Sequence, residues 1–507
     1  MDFQDSSGRT PLVLALKRGT QRGADLGNEL RRLGDYKIKS KADAEAVCDV
    51  LEQLAIECQI AESKPSLHAI IALFQEVEGT ECAAFPVMAE RGVKILVQIV
   101  NDGLDTPPRH DPEVVLFALK ILAASGAPAG TDVILRAARK PLQPDAYMWS
   151  VILRAYTSGH PERRRLFTEL SKSLPTDFLA ISLLDSANSA RSDGIEDPHP
   201  FDSAAGVRKL EEWLADKNEE HFTYAQSATL ALPHITNGKR DALLALAFEH
   251  PSVDVQLQAA RAAAMLGREA GIRWLARSCL DVNLSVRAQF FLSGLGHSNA
   301  IPSECQDASF RAKAKFADWL AHPNELGRPP DELEIVDHRE LAWPPERTQK
   351  KLWLIRYRMH DAMAFKENRV GVGLVGSFTF CFFFYQLDQR PPEDVYAIHC
   401  YWEMKDLGLV AEVDVGENSR EFDHMLRQCT YDNIAQATIV SVAELSQELD
   451  YPQRLVAVAK ATCRGEPGWL IADGPRSLWY ARSQMPQGTS DKTVLMIHVG
   501  RILLNLR

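Results

Sequence analysis

The chain has 507 residues, of which 46% are hydrophobic and 25% are charged, a composition typical of folded globular proteins and not of disordered chains. This length predicts about two to four domains. The formal net charge of −11 argues against a general nucleic-acid binder, because such proteins neutralise phosphates with a basic surface.

The N-terminal residues 1–24 mix Gly, Ser, Thr and Arg around the short apolar run Leu12–Leu16. We expect a loose tail or a short docking helix there. The first five residues, Met1–Asp5, lack the basic and apolar regions of a secretion signal. The nine cysteines are odd in number and contain no Cys-x-x-Cys pair, so free thiols and a cytoplasmic location are predicted.

Residues 25–327 are predicted to be mostly helical, because apolar side chains recur there at helical spacing. Clusters of Pro, Asn, Asp and Gly separate the segments. The predicted helices cover 44–60, 67–77, 87–100, 113–126, 147–156, 178–184, 207–214 and 224–232. Their spacing is too irregular to count repeats, and a plain helical domain over residues 25–200 remains an alternative.

The most regular stretch is 254–296. Val255 and Val286 lie 31 residues apart (286 − 255), and each opens a small-residue helix that ends on Leu-Gly. Val255, Ala259 and Ala262 fall on one helical stripe, which we expect to be buried. Ala264 lies on the opposite side of the same helix and is expected to be more exposed. The pattern indicates a helical repeat, which is an architecture and a binding surface, not a reaction.

These residues resemble the HEAT family, most closely its short bacterial, phycobilisome-lyase-like form. The resemblance is carried by the start from Asp281 to Arg287, the Ala-Ala pairs and the Leu-Gly ends. It implies an α-solenoid of stacked helix pairs, which exposes a long curved surface suited to extended partners. It implies no enzymatic activity, since the repeat is shared by many non-enzymes.

The composition changes near residues 322–330, where alanine-rich helices stop and β-branched and aromatic runs begin. The predicted domains are therefore a HEAT-like solenoid over 25–327 and an α+β region over 331–507. An internal duplication is predicted in that region, with copies at 331–405 and 406–507. The aligned runs are 335–341 with 439–445, 352–356 with 456–460, 372–374 with 469–471, and 395–399 with 494–498. Two unrelated α+β pieces with similar apolar strands are the alternative.

Two motifs invite a chemical interpretation. Gly371–Gly376 matches G-x-G-x-x-G, but a dinucleotide site needs a helix after the glycines, and Ser377–Phe384 favour a strand. His399 and Cys400 are adjacent, yet neighbouring residues point in different directions on a helix, so we expect core residues and not a nucleophile with its base.

No histidine pair has metal-ligand spacing. The sequence therefore predicts no catalytic, cofactor-binding or metal-binding residues.

The run 370–387 carries no charge over 18 positions, so a membrane-spanning helix must be weighed. Its glycines and β-favouring aromatic residues, with Arg369 and Asp388 directly outside, favour buried strands instead.

The predicted function is a non-catalytic HEAT-repeat scaffold or adaptor that binds a protein or peptide on the solenoid surface. No nucleic-acid or membrane partner is predicted, and the sequence indicates no oligomeric state. The alternative is an enzymatic or small-ligand-binding C-terminal α+β domain that the solenoid targets.

Overall fold

The computed structural model describes residues 9–21, 25–57, 64–140, 146–360, 369–376, 379–381, 387–416, 424, 426, 433–449, 454–474 and 476–506. The chain divides into two compact units, Met1–Gly271 and Ile272–Arg507. The domain boundary predicted from composition lies near residues 322–330, whereas the division between the compact units follows Gly271. The helices between these two points therefore belong to the second unit.

The first unit is built from helices. They are α1 (Pro11–Gly19), α2 (Leu26–Arg31), α3 (Lys41–Glu57), α4 (Lys64–Ala72), α5 (Phe85–Val87), α6 (Val93–Leu104), α7 (Pro112–Ser125), α8 (Pro128–Ala137), α9 (Ala146–Arg154), α10 (Arg163–Lys172), α11 (Asp177–Ser192), α12 (Ala204–Ala215), α13 (Phe222–Ala231), α14 (Arg240–Phe248) and α15 (Val253–Met265). Helix α16 (Glu269–Ser278) spans the division between the units. Within residues 1–24, the described part forms α1, whose Leu12 and Leu16 are buried.

The helices of the first unit contact one another in two rows. Helices α7, α9, α11, α13 and α15 pack side by side in that order, and we call them the first row. Helices α6, α8 and α10 pack in order behind them, and α12 packs on α14. The apolar core is continuous from Leu12 to Ala262. Helices α9, α11 and α13 therefore have a first-row neighbour on both sides, while α7, α13 and α15 are also covered from behind by helices of the other row.

Helices α8, α10 and α14 were not predicted from the sequence, for local reasons. Helix α8 opens with Pro-Ala-Gly-Thr, and α10 opens with three arginines, so neither shows a strong apolar stripe at its start. Helix α14 has only nine residues. Packing against the first row supplies the stability that their own sequences lack.

The second unit contains α17 (Ser285–Gly294), α18 (Ala308–Leu320) and two antiparallel sheets, each with its strands in sequence order. The first sheet comprises β1 (Glu332–Trp343), β2 (Thr348–Met359), β3 (Arg369–Val375) and β4 (Thr379–Cys381), and α19 (Pro392–Asp406) follows it. The second comprises β5 (Val410–Val413), β6 (Ile434–Leu445), β7 (Arg454–Cys463), β8 (Glu466–Asp473) and β9 (Arg476–Ala481), and α20 (Asp491–Leu503) follows it. An α+β region after a helix-rich N-terminal half is thus confirmed.

The two sheets share one core with α19 and α20. Leu354 of the first sheet and Val458 of the second belong to the same buried cluster as Ile398 and Ile497 of the two helices. Because strand side chains alternate between faces, the neighbouring Ile355 points away from that cluster. It packs with α18 in a separate cluster. The first sheet is therefore covered on both faces, by α18 on one side and the helix pair on the other.

Candidate binding groove

A groove lined by both polar and apolar side chains lies where α11, α13 and α15 of the first row run side by side, with a cavity volume of about 280 Å³. Helix α11 contributes Asp185, Asn188, Ser189 and Ser192. Helix α15 contributes Gln258, Arg261, Ala262 and Met265. Both sets follow the spacing i, i+3, i+4, i+7, which places four side chains on one helix face. The groove is therefore bounded by two whole helix faces, with the end of α13 between them.

Each of the two helices also carries buried apolar side chains that hold it in the core. In α11, Leu183 and Leu184 are buried, and in α15, Val255 and Ala259 are fully buried. A helix with one apolar face turns that face to the core and its polar stripe to solvent. The sequence of α11 thus places a fully polar stripe in the groove, whereas only Gln258 and Arg261 are polar among the four lining residues of α15.

A hydrogen-bonded chain around His199, which is 5% exposed, lies behind the groove and holds its lining residue Asn188; we call this chain the floor, although His199 itself does not line the cavity. The Phe201 N–H donates to Nδ1 of His199 at 3.3 Å. Since Nδ1 accepts, Nε2 carries the proton and donates to Oδ1 of Asn188 at 3.2 Å. Nδ2 of Asn188 in turn donates to the Ser227 carbonyl at 2.9 Å. This chain fixes the tautomer of His199 and holds the Asn188 side chain in place.

Burial, with smaller contributions from His234 and Arg191, lowers the pKa of His199 to about 3, and Asp202 acts in the opposite direction. His199 is therefore neutral at neutral pH. A neutral imidazole is what the hydrogen-bonded floor requires, because protonated Nδ1 cannot accept from the Phe201 N–H.

One end of the groove is positive. His234 lies over His199, with ring centroids 6.2 Å apart and ring planes 20° apart. Burial lowers the pKa of His234, and the cations Arg191 and Arg261 lower it further. Both charges act on the same imidazole, so the potential at this end of the groove favours an anion.

The other end carries a carboxyl group. Burial of its carboxyl in the groove raises the pKa of Asp185, although part of the residue remains exposed, and a hydrogen bond with Ser227 and the charge of Arg154 act in the opposite direction. The two ends of the groove therefore differ in charge.

Gln258 supplies an acceptor without a donor. Its Oε1 is buried and has no hydrogen-bond partner among the described residues. Gln258 and Arg261 are three residues apart on α15, so their side chains lie on the same face. A buried carbonyl oxygen left without a donor costs about 1–3 kcal/mol, which a ligand N–H at this position would recover.

Ser, His and Asp all line the groove, but a catalytic triad is not formed there. A triad requires the serine hydroxyl on the histidine and the histidine on the carboxylate. The Ser192 hydroxyl instead donates to the Asn188 carbonyl at 3.1 Å, and Asp185 interacts with Ser227. Among the residues that the structure describes, no group of three His, Cys, Asp or Glu side chains is arranged to hold a metal ion.

The motifs weighed in the sequence lie in the second unit. The glycines of G-x-G-x-x-G lie on β3 and directly after it, inside an antiparallel sheet and not between a strand and a helix. A Cβ on Gly371 would lie 2.6 Å from the Tyr357 hydroxyl, so this glycine allows close packing within the sheet. Of the strand predicted after the glycines, residues 379–381 form β4, and the remainder lies outside the described residues. His399 and Cys400 are both buried on α19.

The run 370–387 is described only in part. Its described residues belong to β3, β4 and the turn that begins at Leu387. Among the described helices, none combines the length and the apolar character needed to cross a membrane.

Sequence reasoning missed the groove. It predicted only residues 178–184 of α11, and the polar stripe begins at the next residue, Asp185. The signal that was available is the polar spacing of Asp185, Asn188, Ser189 and Ser192 in α11; in α15 only Gln258 and Arg261 of the corresponding positions are polar. Nothing in the sequence, however, states that these two helices lie on either side of α13.

The His199 floor gives a pH-dependent prediction. The unfolded chain protonates His199 below its ordinary pKa of 6.5, whereas the folded chain does so only near pH 3. The stabilisation is thus complete above pH 6.5 and is lost as the pH falls below it. Between pH 6.5 and about pH 5 the wild type should lose about 2 kcal/mol more than His199→Gln in urea unfolding followed by circular dichroism. Equal losses in the two proteins would contradict the neutral floor.

Compared with known proteins, the chain matches no family model, no curated protein and no solved structure. Its function must therefore be inferred from its own geometry.

Proposed function

We propose that the protein is a non-catalytic scaffold or adaptor, whose first unit is a HEAT-like α-solenoid that binds a segment of a protein partner in the groove between α11 and α15. The observation that carries the proposal is the groove itself. The polar face of α11 and the side chains of Gln258 and Arg261 on α15 line one groove, without a triad or a metal cluster among the described residues. Such a surface can hold an extended chain.

The two-row packing supports the solenoid part of the proposal. Stacked helix pairs bring each helix into contact with its counterparts in the neighbouring pairs and with its own partner behind it. Helices α12 to α15 follow this order, since α12 packs on α13, α14 on α15, α12 on α14 and α13 on α15. Gly267, expected at the end of a repeat helix, has a φ of 72°, the left-handed conformation of a helix C-terminus.

We infer for the second unit that residues 331–405 and 406–507 are duplicated copies. Support comes from element order, because β1 to β4 and α19 correspond in order to β6 to β9 and α20. The two helices pack against each other. Arg501 of α20 contacts Asp394 of α19, and Lys492 of α20 lies 5.6 Å from the ring of Trp402. At an offset of 99 residues, Arg501 aligns with Trp402, and Lys492 aligns with Glu393, the neighbour of Asp394, so the two contacts join closely corresponding positions.

The partner is expected in the cytoplasm, because Cys48, Cys279, Cys305 and the other cysteines characterised in the described part of the chain are free thiols. Neither nucleic acid nor a membrane is part of the proposal.

The binding function is tested by filling the groove. Ser189→Trp places an indole among the lining residues, and Ala245→Trp places the same group on an exposed position of α14, in the other row. Peptides selected from a random phage library on the intact chain should bind the wild type and Ala245→Trp with similar affinity. Their affinity for Ser189→Trp should fall about tenfold or more, because the indole occupies the volume that the peptide needs.

Thermal unfolding of both variants serves as the control for folding. The proposal fails if the library yields no binder, or if the selected peptides bind a folded Ser189→Trp variant as tightly as the wild type.

A further inference from the structure

We propose that the segment bound in the groove is acidic: a carboxylate of the partner lies at the Arg261 and His234 end, and a backbone N–H beside it donates to Oε1 of Gln258. This inference rests on the proposed peptide-binding function and names the chemistry of the ligand. It follows from the charge, the hydrogen-bonding groups and the size of the groove.

The polarity of the groove fixes the position of the carboxylate. Arg261 is half-buried and lines the cavity, and its charge and that of Arg191 both act on His234. A guanidinium binds a carboxylate through two parallel N–H···O bonds, the strongest side-chain pairing available to an exposed anion. Asp185, at the other end, would repel a second carboxylate. An acidic side chain is therefore favoured at one end only.

Gln258 distinguishes a peptide from a simple anion. Its buried Oε1 needs a hydrogen-bond donor; a free carboxylate offers none, and inorganic phosphate offers only an O–H group. A peptide carries a backbone N–H next to each side chain. An acidic residue supplies a carboxylate for Arg261, and its own or its neighbour's backbone amide supplies an N–H for Gln258.

The size of the groove agrees with a short stretch of chain. Its volume of about 280 Å³ lies just below the roughly 300–1,000 Å³ of sites that enclose a drug-sized ligand. The groove therefore holds one or two residues of a segment, and the rest of the partner extends along the first row. This explains why the site is open and why its lining continues along two helix faces.

The test compares two pools of hexapeptides that differ at one position. The first pool has Glu at a central position and the second has Gln there, with all other positions random. Each pool is captured on the immobilised full chain and quantified by mass spectrometry. The wild type should retain the Glu pool about tenfold more than the Gln pool. Arg261→Gln should bring this ratio close to one, and Arg261→Lys should restore part of it, since lysine keeps the charge but not the fork.

A second variant tests the backbone contact. Gln258→Met removes the acceptor and keeps a similar volume, so capture of the Glu pool should fall several-fold. The melting temperature should stay the same or rise, because a buried acceptor without a donor is removed. A fall in capture together with a fall in melting temperature would instead indicate a structural role for Gln258 and overturn that contact.

The outcomes separate the two proposals. Suppose that the wild type captures the Glu and Gln pools equally and that Ser189→Trp captures neither. This result would support the binding function and overturn the acidic ligand. Capture of neither pool would overturn both. Displacement of the Glu pool by inorganic phosphate alone, with Gln258→Met having no effect, would identify a general anion site and overturn the peptide as the ligand.

Discussion

Gly500→Ala should unfold the second compact unit, with a loss of about 3 kcal/mol or more in the free energy of unfolding. Gly500 lies on α20 at its crossing with α19. A Cβ at this position would overlap the Ala397 carbonyl oxygen and lie 2.7 Å from the Ala397 Cα. Both are backbone atoms, so no side-chain rotation relieves the clash. The helices must separate, and the core that both sheets share with them then loses its packing.

Gly294→Ala is the matched control, because Gly294 lies on α17 and a Cβ there has open space around it. Alanine is the better helix former by about 1 kcal/mol, so this variant should be unchanged or slightly stabilised. The measurement is guanidinium unfolding of the full chain followed by circular dichroism. A Gly500→Ala protein as stable as Gly294→Ala would contradict the close crossing of the two helices.

Ala259→Asp should destabilise the first unit by about 4 kcal/mol or more. Ala259 lies on α15 and is 0% exposed, within the core that runs through the first row. A carboxylate there has neither solvent nor room for a partner, so it must be protonated or the helix must move. The groove would be lost with the helix, because α15 forms one of its two sides.

Val253→Asp introduces the same group on the same helix, at a residue that is 47% exposed. Val253 is the first residue of α15, where a negative charge interacts favourably with the helix dipole. This variant should fold normally and retain peptide capture. If thermal unfolding shows equal losses for Ala259→Asp and Val253→Asp, the assigned buried face of α15 is wrong.

The regular part of the fold was predictable from local patterns. The helices near residues 113–126 and 254–266 were predicted because their apolar side chains recur at helical spacing and glycine follows. The strands around Val336, Leu354 and Leu374 are present in the first sheet. Such elements carry their signal within one segment of sequence.

The burial of α15 was less predictable. Ala264 was expected on the exposed side of the helix, yet it is 4% exposed, while Leu266 is only partly buried. The backbone of α15 at Ala264 lies close to α16, where Gly271 allows the approach: a Cβ on Gly271 would lie 2.6 Å from the Ala264 backbone nitrogen. A single helix pattern predicts one buried face, whereas packing from the side and from behind buries more than one.

The groove depends on tertiary contacts that no short pattern contains. His199 reaches the floor from the loop between α11 and α12, and Asn188 and Ser227 come from two different helices. The pKa shifts of His199 and His234 arise from burial and from charges on other elements. The sequence of each segment contains these residues, but it does not show that they contact one another in the folded chain.

Hydrogen–deuterium exchange of the intact chain, with and without the Glu peptide pool, tests the central claim most directly. The account predicts slower exchange in residues 185–192 and 254–265 when the pool is present, and no change in Ser189→Trp. Slower exchange confined to residues 331–507, with the two groove helices unaffected, would contradict it and place the binding site in the second unit.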